Sequence, residues 1–251
     1  MHRYFIKLAY KGTSFHGWQK QSNATSVQQA IEIQIQKILG RELGLTGCGR
    51  TDTGVHATEF YAHFEVDERV DTGLMQHKLN LMLPRSIAIY NIFEVDLEDH
   101  ARFSATRRTY RYFIKTLKDP FSNGLYWHLR QDLSIDAMKE AAGFITGRHE
   151  FTSFKKMGTP TETDWCQVFA SFWKPTLNGY MYEISADRFL RNMVRALVGT
   201  MVEIGKQRVP AKSINGLLIE KDRSKAGYSA PAEGLFLHKV EYPFIQKGIQ
   251  E

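Results

Sequence analysis

The sequence has only two cysteines, Cys48 and Cys166, and neither belongs to a Cys-x-x-Cys pair. That count excludes a disulfide framework. With no His-Glu-x-x-His segment, it also leaves no familiar spacing of ligands for zinc. Long apolar runs are missing too. No stretch could span a bilayer, and the opening Met1-His2-Arg3-Tyr4 lacks the apolar core of a secretory leader. We therefore expect no membrane association and a reducing, cytoplasmic setting, where the formal sequon Asn23-Ala24-Thr25 stays unused. Acidic residues are the minority charge, 27 against 33 Lys and Arg, for a net charge of +6. A surplus of positive charge points to an anionic partner, nucleic acid or an acidic membrane surface.

What is present is a chain of 251 residues, 43% of them apolar, enough for one large domain or two ordinary ones. Aromatics are plentiful, with Phe 16, Tyr 11 and Trp 4. Basic residues interleaved with aromatics suit RNA, whose unpaired bases stack on rings. One stretch organises the rest: Gly47-Cys48-Gly49-Arg50-Thr51-Asp52-Thr53-Gly54-Val55-His56-Ala57. Its glycines make poor helix and poor strand, and suit a backbone that turns tightly or passes close to a neighbour. Arg50 and Asp52 lie two apart, so an extended backbone sets a guanidinium beside a carboxylate and favours the ionised acid. An ionised carboxylate on a glycine-rich loop is a candidate nucleophile or general base. The same pair also reads as a surface ion pair with a capping role. Gly47-x-Gly49 fails as a dinucleotide fingerprint because Asp52 occupies the third glycine position. Asp52-Thr53-Gly54 matches the aspartic protease tripeptide, but that chemistry needs a second carboxylate sharing a proton.

The order of elements predicts an α+β fold. Arg3–Tyr10 reads as a strand, and Lys11–Asn23 as a polar loop. Ser26 with Gln29 forms a capping box for a helix whose face is Val27, Ile31, Ile35 and Ile38, ending at Gly40. Leu43–Cys48 reads as a short strand, and Phe60–Val66 as a half-buried one. A helix over Asp71–Leu83, with Leu74, Lys78, Leu79 and Met82 along it, and a strand over Ser86–Val95 complete β-α-β-β-α-β, a ferredoxin-like unit with an antiparallel sheet. In the second half, alternation predicts a strand near Tyr110–Lys115, and Ser134–Ile145 a helix closed by Gly147. Glu150–Pro160 is polar and reads as mobile, and Trp165–Lys174 and Tyr180–Ser185 read as strands around Asn178-Gly179. Leu190, Val194, Leu197 and Met201 give the apolar face of a helix ending at Gly205, with Arg188, Arg191 and Arg195 on an adjacent face. Three arginines there suit phosphate contact better than a solvated face. Pro210 starts one more helix, and Leu235–Tyr242 reads as a last strand. The second half thus repeats the plan of the first with insertions.

Taken together, these segments resemble a known family. Gly49-Arg50-Thr51-Asp52-Thr53-Gly54-Val55-His56-Ala57 resembles the active-site loop of the tRNA pseudouridine synthase A family. Tyr10-Lys11-Gly12 with Phe15-His16-Gly17-Trp18-Gln19-Lys20-Gln21 is similar to its N-terminal signature, and Phe103–Tyr112 to its second motif. Glu150-Phe151-Thr152-Ser153-Phe154, Phe189–Arg195 and Ala232–Leu237 follow in family order, so the likeness covers nearly the whole chain. Thr53 departs from the family's usual alanine.

The resemblance implies an isomerase that converts uridine to pseudouridine in the anticodon stem-loop of tRNAs, at tRNA positions 38, 39 and 40, without cofactor or metal. It implies the pseudouridine synthase fold, two ferredoxin-like, RNA-recognition-like halves sharing an extended antiparallel sheet with a central cleft. We expect residues 1–102 to carry the aspartate loop and 103–251 the base-stacking tyrosine and the basic helix. By the same resemblance Asp52 is the nucleophile, Tyr110 stacks on the target base and serves in proton transfer, and Arg50 and Arg195 flank the aspartate, Arg195 as its ion-pair partner. Arg188 and Arg191 bind substrate, and Leu235 or Leu237 forms part of the base pocket. A homodimer is implied, with one tRNA touching both subunits. The chemistry agrees: breaking C1′–N1 and forming C1′–C5 needs a carboxylate, either to add to ring or sugar or to take a proton, and needs a base drawn out of its stack. Two other readings stay open on the residues alone, a non-catalytic RNA-binding module and an aspartic protease.

Overall fold

The computed structural model describes residues 1–245, and contacts divide it into two units: Met1–Thr106 with the segment that starts at Leu237, and Arg107–Phe236.

The first unit is built on β1 (His2–Tyr10), which pairs antiparallel on both edges. One neighbour is β3 (His56–Val66), with Tyr4 opposite Phe64 and Leu8 opposite Phe60. The other is β4 (Ile87–Val95), with Ile6 opposite Ile92. Tyr4, Ile6, Leu8 and Tyr10 alternate along β1 and are all buried, the period expected of a strand with a covered face. Helix α1 (Val27–Leu39) starts where the sequence predicts: Ser26 Oγ accepts from Gln29 N at 3.2 Å, and Gly40 closes it in the left-handed conformation. Val27, Ile31 and Ile35 are fully buried, each stabilising the unit by about 1.5–3 kcal/mol. Helix α2 (Thr72–Met82) is capped by Asp71, whose carboxylate accepts from Leu74 N. Its buried face is Met75 and Leu79, whereas the expected Leu74 and Met82 are exposed.

The strand expected over Leu43–Cys48 shrinks to β2 (Thr46–Gly47) on the edge of β3. The cause is on α1. Glu32 Oε1 accepts from Leu45 N at 2.9 Å, and Gln28 Nε2 donates to Leu45 O at 3.0 Å. Two helix side chains satisfy the backbone that a longer strand would have offered to a ladder.

In the second unit β5 (Arg107–Lys115) pairs antiparallel with β9 (Gly179–Ala186), β9 with β8 (Trp165–Thr176), and β8 with β7 (Gly147–Glu150). The two-residue β6 (Trp127–His128) lies parallel on β5, the one departure from an antiparallel plan among the described pairs. Helix α3 (Ile135–Gly143) is capped by Ser134 and ends before the expected Ile145, with Phe144 at its C-cap; Gly147 instead opens β7. Helix α4 (Met193–Gly205) is buried on nearly all sides, and Trp173 of β8 directs its indole N–H at Met201 Sδ, 3.2 Å away. Helix α5 (Ser213–Glu220) begins three residues after Pro210, beyond a turn in which Ser213 N donates to Pro210 O. The last strand, β10 (Leu235–Glu241), runs from this unit into the first.

Two further expectations need correction. The stretch 150–160 does not begin as a loose loop. Phe151 and Phe154 are fully buried around a short 3-10 turn, and Ser153 Oγ donates to Leu217 O at 2.6 Å. Arg188, Arg191 and Arg195 do not share a helix. Asn192 takes φ 69° just before α4, which breaks any helical path from Arg188 to Arg195 and leaves Arg195 alone on the helix.

Candidate active site

The aspartate loop runs from β2 to β3, and hydrogen bonds hold its backbone along most of its length. Cys48 N continues the ladder by donating to Tyr61 O at 2.7 Å. Thr51 is buried, its hydroxyl 2.8 Å from the Tyr10 hydroxyl, and its carbonyl accepts from Trp18 N at 3.3 Å. Val55 N donates back to Asp52 O at 3.1 Å, closing a turn, with Gly54 at φ 79°. Gly54 N donates to Phe15 O at 3.3 Å. His56, fully enclosed, accepts from Gly12 N on its Nδ1 at 2.9 Å.

The partner in three of these bonds, through Gly12, Phe15 and Trp18, is the loop after β1. Two of its glycines are required by close approach. A Cβ on Gly12 would lie 2.0 Å from Val55 O, and one on Gly17, at φ 86°, would lie 2.4 Å from Thr51 O. The two backbones touch where no side chain fits. Trp18 and Phe60 stack at 4.1 Å beneath them, with Tyr10 beside both rings. Asp52 is half-exposed at the head of this assembly. Arg50 is exposed and its Nε donates to Gln19 Oε1 at 3.1 Å, so Gln19 of the partner loop holds the guanidinium.

In the second unit Tyr110 occupies the face of β5 that also bears Tyr112 and Ile114. Those two are in the core, with Tyr112 Oη donating to Pro231 O at 2.7 Å and burial pushing its pKa up. Tyr110 is only half-buried, and its ring meets Phe189 edge-on at 4.9 Å. Phe189 stands in a segment arranged by Asp187. The Asp187 carboxylate accepts from Gln167 N at 2.9 Å and Arg188 N at 2.7 Å, and its carbonyl accepts from Arg108 Nη1 at 3.0 Å. Arg188 is half-buried and Arg191 exposed. Arg195 is fixed from the first turn of α4: its Nε donates to Ala230 O at 2.7 Å, while Ala230 N donates to Arg195 O at 2.9 Å.

Asp52, Arg50 and Leu237 therefore belong to the first unit, and Tyr110, Arg188, Arg191, Arg195 and Leu235 to the second. Leu235 and Leu237 are both buried. Tyr10, Gly12, Gly17, Trp18, Thr51, His56 and Phe189 stand in the motifs that carry the family resemblance, but sequence reasoning gave them no part in building the site, and it gave none to Asp187.

The geometry defines an α+β protein that presents one carboxylate from a rigid glycine loop and one aromatic ring from a strand lined by arginines. A family model described as tRNA pseudouridine synthase matches residues 7–104 and 141–243. The chain is 44% identical over 244 residues to the tRNA pseudouridine synthase A of Parabacteroides distasonis, covering 97% of each chain. It is 42% identical over 247 residues to the protein of that name from Bacteroides thetaiotaomicron, covering 97% of this chain and 91% of that one. It is 36% identical over 244 residues to the one from Thermoanaerobacter pseudethanolicus, covering 96% and 100%. The chain belongs to the tRNA pseudouridine synthase family, and its α+β architecture is the pseudouridine synthase fold. Among the described residues no helix is long and apolar enough to cross a membrane.

Proposed function

We propose that this protein isomerises uridine to pseudouridine in the anticodon stem-loop of tRNA, with Asp52 as nucleophile. The reaction breaks C1′–N1, turns the uracil and forms C1′–C5. The C5 proton leaves to solvent and N1 gains one, so atoms balance with no outside reactant. The observation that carries the reading is the aspartate loop. Thr51, Gly54, Val55 and His56 are each held by a hydrogen bond, while the carboxylate between them stays half-exposed. Such fixing removes the entropy and reorganisation a mobile nucleophile would have to overcome. It is also how a reactive residue is supported on a rigid frame.

Tyr110, half-buried on β5 with its ring perpendicular to that of Phe189, stacks on an extruded base. Arg50 and Arg195 supply the cationic groups of the reaction, Arg188 and Arg191 bind phosphate, and Leu235 or Leu237 borders the base. The enzyme works in the cytoplasm, where its tRNA substrates are, and as a homodimer; light scattering on the purified protein tests the dimer. Tritium release from unmodified tRNA labelled at C5 of uridine tests the activity itself. One tritium released per pseudouridine formed is expected, and no release at any enzyme concentration overturns the reading.

A further inference from the structure

The stretch from Phe151 to Asp164 is built as a neck with a tip. Phe151 N donates to Asp164 O at 2.9 Å, which closes the two ends of the stretch on each other. The neck is anchored inward by the buried rings of Phe151 and Phe154 and by the Ser153 bond to Leu217. Asp164 then ties the neck together. Its carboxylate takes Lys155 Nζ at 2.6 and 2.8 Å and the Thr152 hydroxyl at 2.9 Å, and it also accepts from Thr161. Lys155 is therefore spent on structure.

Beyond the neck the character changes. Lys156, Met157 and Gly158 are all exposed, Met157 by 78%, and Gly158 turns the chain at φ 69°. One bond ties this tip to another element: Lys156 N donates to Arg191 O at 2.9 Å. Two exposed cationic side chains thus spring from hydrogen-bonded backbone positions, with an apolar side chain next to them. A phosphodiester beside a sugar and base has the matching chemistry, an anion next to an apolar ring face.

We propose that the Lys156–Pro160 tip is a docking element for the RNA backbone, in which Lys156 and Arg191 take one phosphate together and Met157 lies against the adjoining nucleotide. This rests on the tRNA reading above and adds Lys156 and Met157 to the substrate-binding residues. Asp164 is a positioning residue, acting through the neck.

The test is tRNA binding by the full-length protein at several salt concentrations. Lys156→Ala weakens binding roughly tenfold and lowers the slope of log affinity against log salt by less than one, since Arg191 still meets the shared phosphate; loss of both cations lowers it by about one. Lys139→Ala, which removes an equal charge from an exposed position of helix α3, leaves affinity and slope unchanged. Because Lys156 and Arg191 share a phosphate, Lys156→Ala with Arg191→Ala costs less than the sum of the two singles. Met157→Ser weakens binding without altering the slope, and Met157→Leu restores it. Asp164→Asn makes the protein more positive yet weakens binding, with the fold of the variant checked by its melting curve. Equal effects of Lys156→Ala and Lys139→Ala, or additive effects of the two cation variants, would overturn the proposal. Active wild-type enzyme with those outcomes rejects the docking element alone; no tritium release by wild type rejects the tRNA reading itself.

Discussion

Gly17 lies against the carbonyl of Thr51, the residue before the proposed nucleophile, so closely that a Cβ would come within 2.4 Å of that oxygen. The next residue, Trp18, donates its N–H to the same carbonyl. The loop after β1 therefore sets the height at which Asp52 is presented.

Gly17→Ala should separate position from composition. The added methyl meets backbone, which cannot swing aside, and φ 86° is itself unfavourable for alanine. We expect a loss of roughly 1–3 kcal/mol in stability and a larger proportional fall in single-turnover rate than in tRNA affinity. Melting curves and single-turnover rates measured on the same preparation check this. Wild-type values for both would mean that the two loops move independently.

Tyr110 has two possible tasks, and two variants distinguish them. Tyr110→Phe keeps the ring and its edge contact with Phe189, so tRNA binding should persist while the chemical step slows. Tyr110→Leu removes the stacking face, at a cost of roughly 1–3 kcal/mol, and turnover should be lost. A half-buried side chain can also serve the core. In that case both variants would lower the melting temperature and leave the turnover of folded molecules intact.

The pH dependence of stability should carry the mark of His63. It is buried, Ala101 N donates to its Nδ1 at 3.1 Å, and His100 packs edge-on at 4.7 Å. Burial, then the neighbouring His100 and Arg3, hold its pKa down at about 4, with Glu65 acting in the opposite sense. The unfolded chain takes the proton near 6.5, so between these values the unfolded state binds more protons. Its contribution is complete above about pH 6.5 and is lost as pH falls toward 4, at up to about 1.4 kcal/mol per pH unit. His63→Gln keeps an acceptor for Ala101 N and does not titrate, so its stability should fall less steeply through that window. Denaturant unfolding at a series of pH values gives the comparison, and identical slopes would remove His63 from the account.

Local patterns were readable in the sequence where the physics is local. Helix α1 was legible because Ser26, Gln29 and Gly40 mark its ends and Val27, Ile31 and Ile35 its face. The aspartate loop was legible because its glycines interrupt both periodicities. Long-range satisfaction of backbone groups was not. Nothing near Leu45 announces that Glu32 and Gln28 will occupy its N–H and C=O. Nor does any glycine warn that Asn192 turns left-handed, so the arginine spacing read as continuous helix. Phe151 and Phe154 were hidden by the polar residues around them. The clamp on Thr51 and His56 joins positions some 40 residues apart in the chain, beyond the reach of any pattern.

The central claim is that Asp52 does the chemistry, and Asp52→Asn tests it most directly. The amide has the shape of the carboxylate without its charge or nucleophilicity. Purified Asp52→Asn enzyme, mixed in excess with unmodified tRNA labelled at C5 of uridine, should bind the tRNA within a few-fold of wild type and release no tritium. Release at a rate approaching wild type would contradict the account.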